Sequence, residues 1–242
     1  MSEELEFFDQ TPPPSGAEMT AFETWIAVVT KPNANTFAEI AAQPGATTGK
    51  AFLWAALSYL VTVFFGGIAQ TVNAGSSMEM LRDYLPPDVA YAMPSGAGDA
   101  GMSIVTLICA APFGAIFGVM FFAISVALIL WVAKLFGGNG EFEKMAYTFA
   151  AIMVPIAVVN AGLSLLSMIP FIGLLFGLVS FAVSIYSLVL HVLAVQAVTG
   201  LDTGKSAASV ILPWVVFFFF MCCCAALLLG LTGAAWNASG AF

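Results

Sequence analysis

Five long apolar runs organise the chain, at about 50 to 72, 102 to 136, 146 to 169, 172 to 199 and 207 to 231, with short polar stretches between them. Each exceeds the roughly 18 to 20 residues that a helix needs to cross a bilayer, whereas the strands of a membrane barrel alternate over about 10 residues. The pattern predicts an all-α fold, a polytopic transmembrane bundle of five helices. The second run would extend about 50 Å as one helix against roughly 30 Å of hydrocarbon. Pro112 is therefore expected to break or kink it, or its ends to project from the bilayer.

Ahead of the first run the pattern changes to amphipathic. In "TAFETWIAVVTKP" Thr20 with Glu23 has the reciprocal capping spacing, Phe22, Trp25, Ile26 and Val29 repeat at helical spacing, and Pro32 ends the segment. A second signal follows, Thr36 with Glu39 around Phe37 and Ile40. Neither stretch is long enough to span, so residues 19–42 read as helices on the cytoplasmic membrane face or packed on the end of the bundle. Residues 1–18 hold Glu3, Glu4, Glu6, Asp9 and Glu18, no base, and a "PPP" run. That composition predicts a flexible tail, with Phe7 and Phe8 as a candidate partner-binding peptide beside Phe22, Trp25 and Ile26. Residues 73–101 read as an extracytoplasmic piece with "MEMLRDYL" helical and the remainder turn-rich. Residues 43–232 form the five-span domain and 233–242 an extracytoplasmic tail.

Composition agrees with the pattern and sets the orientation. Of 242 residues 61% are hydrophobic and 8% charged, with a mean hydropathy of +0.99, far more apolar than a wetted globular surface allows. The net charge is −8 and the six Lys and Arg residues are scattered, which excludes nucleic-acid binding. The acidic N-terminus lacks the basic n-region of a cleaved signal peptide, so the first span is the expected targeting signal. A cytoplasmic N-terminus puts Lys31, Lys50, Lys134, Lys144 and Lys205 inside and only Arg82 outside, the asymmetry that resists translocation. "GGNGEFEK" is then the cytoplasmic turn between spans two and three, where Gly137, Gly138 and Gly140 are expected to supply positive φ.

Little in the chain has the spacing of reactive chemistry. "GLDTGKSAA" misses the phosphate-loop pattern, since Gly200 and Gly204 are separated by three residues instead of four. Lys205 reads instead as a turn and orientation charge, with Ser206 or Thr203 capping span five. Cys222, Cys223 and Cys224 point about 100° apart on a helix, cannot converge on one ion, and read as small packing residues. Cys109 supplies no second half of a site. Asn160, His191 and Gln196 are the strong hydrogen-bonding side chains within the spans, with a neutral His191 expected to bond across helices. No Asp, Glu, Lys or Arg lies deep in any run, so no catalytic, cofactor or metal site is assigned. Gly114 with Gly118 and Gly173 with Gly177 are both G-x-x-x-G, predicting close helix neighbours for spans two and four.

These features line up with a family. Trp25, Lys31 and Pro32, Thr36 and Phe37, the Gly137–Gly138 turn followed by Tyr147 and Pro155, the "IPFIG" hinge at 169–173, and "GLDTGKSAA" before the last span resemble the Yip family of Ypt-interacting membrane proteins. The similarity is greatest to its prokaryotic branch and covers roughly residues 20 to 232. It implies a five-span bundle with a cytoplasmic N-terminus, and relatives that organise membranes by recruiting partners. The Asp-Leu-Tyr-Gly-Pro motif of eukaryotic members is absent, so small-GTPase binding is not carried over. The expectation is a non-enzymatic scaffold or accessory subunit of a bacterial cytoplasmic (inner) membrane. Its partners would be the bilayer and other membrane proteins, or a homo- or hetero-oligomer. The alternative is a small-molecule permease or efflux component built around His191, Asn160 and Gln196.

Overall fold

The computed structural model describes residues 19–84, 100–169 and 173–238. Seven helices account for nearly all of them: α1 (Ala21–Thr30), α2 (Ala34–Ala41), α3 (Thr48–Tyr84), α4 (Ala100–Leu135), α5 (Phe142–Leu166), α6 (Gly173–Thr199) and α7 (Thr203–Ala238). No strand occurs among the described residues. The last five helices are each long and apolar enough to cross a membrane, over Thr48–Gln70, Ile108–Leu135, Phe142–Leu166, Leu175–Thr199 and Thr203–Cys223. The fold is the all-α, five-span bundle that the apolar runs predict, with two short helices ahead of it.

Several helices run beyond their apolar segments. Helix α3 continues without interruption to Tyr84, so the segment expected to be helical is helical from Met78 to Tyr84 and continuous with the first span. Helix α4 passes through Pro112 without a break, so of the outcomes expected there the break does not occur, and α5 and α7 likewise contain Pro155 and Pro213. The physical reason is the solvent. A proline forfeits one backbone hydrogen bond, but ending the helix in hydrocarbon would strand several polar groups at once.

Helix α5 is the hub. Residues 145–152, from Met145 to Ile152, are all buried, which for a helix means burial on every side. It packs most extensively against α3, and also against α6, α4, α1 and α2. Ala146, Ala150 and Ala151 keep its girth small enough for several neighbours at once. Within that stretch the Thr148 hydroxyl donates to the carbonyls of Lys144 and Met145. Around this stretch gather Trp54 and Ala55 from α3, Val126 and Leu130 from α4, and Leu190, Ala194 and Val195 from α6.

The first G-x-x-x-G sits against α3. A Cβ on Gly118 would lie 2.5 Å from Tyr59 Cγ, and one on Gly114 would lie 3.4 Å from Val63. The second behaves differently. Gly173 abuts the Ser167 carbonyl in the preceding turn, and Gly177 faces open space. The expected close neighbour for span four at Gly177 is thus absent among the described residues, because that face of α6 is turned outward beside Leu178 and Phe181.

These contacts separate the two motifs experimentally. Gly118→Ala drives a methyl into the root of a tyrosine ring, where rotation about the ring axis gives no relief, and should cost about 1 to 3 kcal/mol. Gly177→Ala meets nothing and should be neutral or slightly stabilising through helix propensity. Denaturant titration of the detergent-solubilised protein, followed by helicity, measures both. Equal effects from the two substitutions would contradict the packing assigned to Gly118.

Candidate functional site

The α4–α5 and α6–α7 turns and the two N-terminal helices meet at one end of the bundle. The α4–α5 turn closes with the Gly138 amide donating to Ala133 and the Gly137 amide to Lys134, the paired geometry of a helix C-terminus whose next residue is left-handed. Gly137 has φ +90° and Gly200, ending α6, has φ +71°. Positive φ is expected at Gly137, Gly138 and Gly140 but occurs only at the first of them. The other two are small because the neighbouring turn is close: a Cβ on Gly138 would meet Leu201 and Thr199 at 3.0 Å, and one on Gly140 would meet Leu130 at 2.9 Å. The Asn139 amide donates to the Thr199 carbonyl at 3.0 Å, joining the two turns.

The start of α7 also departs from expectation. Asp202 is the capping residue, its carboxylate accepting from the Lys205 amide at 3.3 Å. Thr203 lies within the helix and donates to the Gln196 amide oxygen at 3.4 Å, while Ser206 is buried. Lys205 forms an ion pair with Asp202 at 3.6 Å, so its ammonium is directed at a carboxylate and not at a phosphate cradle. Lys144 pairs with Glu141 at 3.0 Å on the neighbouring turn. Glu143 accepts from the Thr48 amide at 2.9 Å and its hydroxyl at 3.2 Å, tying the start of α3 to the start of α5.

Helices α1 and α2 are clamped onto this end. Thr20 and Glu23 form the expected reciprocal cap, and α1 ends at Thr30 ahead of Pro32. Helix α2 starts earlier than expected: Asn33 is its cap, accepting from the Thr36 amide at 2.8 Å. Thr36 is buried with Phe37 and Ile40, so the Thr36–Glu39 spacing resembles a cap without being one. Trp25 stands edge-on to Trp54 at 5.5 Å, and Trp54 lies 4.9 Å from Tyr147. This row of rings joins α1, α3 and α5. The Tyr186 hydroxyl donates to the Val29 carbonyl at 2.6 Å, satisfying an acceptor in the last turn of α1. The expected single stripe is therefore split. Trp25 and Val29 pack on the bundle with the buried Thr24 and Val28, while Phe22 and Ile26 point away, 67% and 44% exposed.

Inside the bundle lies a cavity of about 330 Å³ with walls from all five long helices, among them Tyr59, Phe122, Phe149, Ser187, His191 and Trp214. His191 Nδ1 lies 2.7 Å from the Ser187 carbonyl one turn earlier on the same helix, and Phe149 stands edge-on to the ring at 4.6 Å. The expected bond from His191 across helices is thus replaced by one within α6. Gln196 and Asn160 are half-buried and neither lines the cavity, so the three polar residues do not form one cluster. Cys109, Cys222 and Cys223 are exposed on the outer surface, facing away from the chain's own core where small packing residues are expected. The side chain of Cys224, together with Phe7 and Phe8, lies outside the described residues. No group of metal-ligating side chains occurs among the described residues.

The model of the Yip1 domain matches residues 26–224, a stretch that begins within α1 and takes in all five spans. The chain belongs to the Yip1 domain family. No match was found among curated proteins or among solved structures. In this Yip1 domain the matched stretch includes both the turn-bearing end and the cavity, so both are parts of the family unit.

Two carboxylates at this end of the Yip1 domain sit below their ordinary range. The backbone and then the side chain of Thr20 lower Glu23, and the Lys205 amide, followed by the Lys205 charge, lowers Asp202. Because the folded forms hold their protons less tightly, their contributions are fully present above the unfolded values near 4 and are lost as pH falls through the folded ones. Hydrogen exchange over α1, corrected for intrinsic rate, should be unchanged from pH 7 to about 5 and accelerate below about 4. Glu23→Gln should flatten that dependence. Acid-accelerated exchange that persists in Glu23→Gln would show that another group controls α1.

Proposed function

We propose that this Yip1-domain membrane protein is a non-enzymatic scaffold or accessory subunit whose recruiting surface is the turn-bearing end. The observation behind this reading is the clamped pair α1–α2, which is held to the bundle by Trp25, Val29 and the Tyr186 hydrogen bond while Phe22 and Ile26 are left uncovered. Uncovered apolar side chains on a rigid end face suit the membrane interface or a partner helix. The acidic segment 1–18 leads directly into that face and brings Phe7 and Phe8 with it. A permease is the second reading, favoured by the cavity at His191.

The orientation belongs to the same proposal. Lys31, Lys50, Lys134, Lys144 and Lys205 all lie at or beside the turn-bearing end, and Arg82 lies near the far end of α3, so the rule of cytoplasmic positive charge puts that end inside. In a background with the four native cysteines replaced, Asn139→Cys should react with an impermeant thiol reagent only after cells are opened. Ser95→Cys should react in intact cells. The reverse pattern would invert the topology.

Deleting residues 1–18 should leave the five spans inserted and the melting behaviour unchanged while proteins that co-purify in mild detergent are lost. Phe22→Ala combined with Ile26→Ala should weaken the same set in the full-length chain. An unchanged set of partners in both variants would remove the end face as the recruiter.

A further inference from the structure

The scaffold reading makes no use of the cavity, which has the chemistry of a binding site. In the neutral imidazole only one nitrogen has a proton. Nδ1 lies 2.7 Å from the Ser187 carbonyl, a group that can only accept, so Nδ1 is the donor and Nε2 presents its lone pair. Among the described residues no donor reaches Nε2. Phe149, itself buried, holds the ring from the side. The result is a fixed hydrogen-bond acceptor in a chamber otherwise walled mainly by aromatic and aliphatic side chains.

Position determines where an occupant would come from. The lining residues lie about 10 to 20 Å along their helices from the turn-bearing end, at 1.5 Å per residue, which is within the membrane-crossing segments. Phe121 and Trp214 both line the cavity yet are 41% and 49% exposed, with their rings 6.0 Å apart. Ser184 and Leu188 of α6 also line the cavity and are exposed, so the mouth opens sideways onto the outer surface shared by α4, α6 and α7. At about 330 Å³ the chamber is at the small end of the roughly 300 to 1,000 Å³ range of ligand pockets, large enough for one chain and too small for a diacyl lipid.

We propose that this cavity binds a neutral amphiphile drawn from the bilayer, a single alkyl chain bearing a hydroxyl group that donates to His191 Nε2. His191 is half-buried, and an acceptor set among apolar walls discriminates against a ligand that leaves it unpaired, so an alkane of equal length should bind less well than the alcohol.

Trp214 at the mouth is a built-in reporter. With the full-length protein in nanodiscs, bromoundecanol should quench the fluorescence component that Trp214→Phe removes, saturably, and unbrominated undecanol should reverse it. Bromoundecane should give only the linear quenching expected of bulk lipid. His191→Leu should weaken the saturable phase about three- to tenfold, the range of one lost hydrogen bond. His191→Gln, which keeps an acceptor, should restore part of it, and Ser125→Leu, which fills the chamber, should abolish it. Helicity and elution volume would show that each variant is folded, and the alcohol–alkane comparison on the unaltered protein decides the matter if none is. Equal quenching by alcohol and alkane would mean that an acyl chain merely fills the space. A response that is linear and unaffected by Ser125→Leu would mean that no site exists. Either result overturns the proposal. Neither bears on recruitment by the end face, which the tail deletion tests separately.

Discussion

Everything in this bundle depends on the all-round burial of one half of α5. A helix in lipid gains nothing from apolar side chains as such, because a hydrocarbon neighbour and a leucine neighbour are equivalent. What favours protein neighbours over lipid is close packing, and residues 145–152 achieve it with Ala146, Ala150 and Ala151 among larger side chains. Dispersion between well-fitted surfaces is small per atom pair and large in sum. Lengthening any of these alanines would push α3, α4 or α6 outward and disturb contacts that α1 and α2 in turn depend on.

Packing is therefore uneven along the bundle. Next to the turns the helices are close, with the Asn139–Thr199 bond, the Thr48–Glu143 bond and the row Trp25, Trp54 and Tyr147 holding them. Further along, side chains such as Tyr59, Phe122 and Trp214 line the cavity, while Gly118 still keeps α4 close to α3 at Tyr59. The α4–α5 and α6–α7 turns, of six and three residues, hold the adjoining helix ends together at this end, and the six-residue connection at 167–172 does the same for α5 and α6 at the other.

The same physics explains which features are legible in the sequence. Span number, helix class and the Thr20–Glu23 cap depend on local chemistry, which long apolar runs and a reciprocal spacing display directly. The Thr36–Glu39 spacing imitates a cap because the motif is short, and Asn33, three residues after the end of α1, claims the role by hydrogen bonding to Thr36 itself. Asp202 could have been found, since an aspartate directly before a helix-forming run is a strong capping signal. The two uses of glycine in "GGNG" could not be separated. Left-handed φ at Gly137 is a property of the turn, whereas close approach at Gly138 and Gly140 depends on where a turn 60 residues later is placed.

The hub and the cavity leave no trace in the apolar runs for a more basic reason. In water an exposed face must be polar, so a buried face is visible as a periodic stripe. In a bilayer the outward face of α6 at Leu178 and Phe181 and the inward face at Leu190 are both apolar, and the stripe disappears. Only polar side chains stay informative, and they inform only about themselves: His191, Asn160 and Gln196 share a type without sharing a site. What distinguishes His191 is the geometry of its neighbours, a carbonyl that fixes one nitrogen and a phenyl ring that fixes the plane. The function of a membrane bundle without deep charges is therefore set by shape and by the few fixed dipoles that shape exposes, and shape is the property that hydropathy cannot encode.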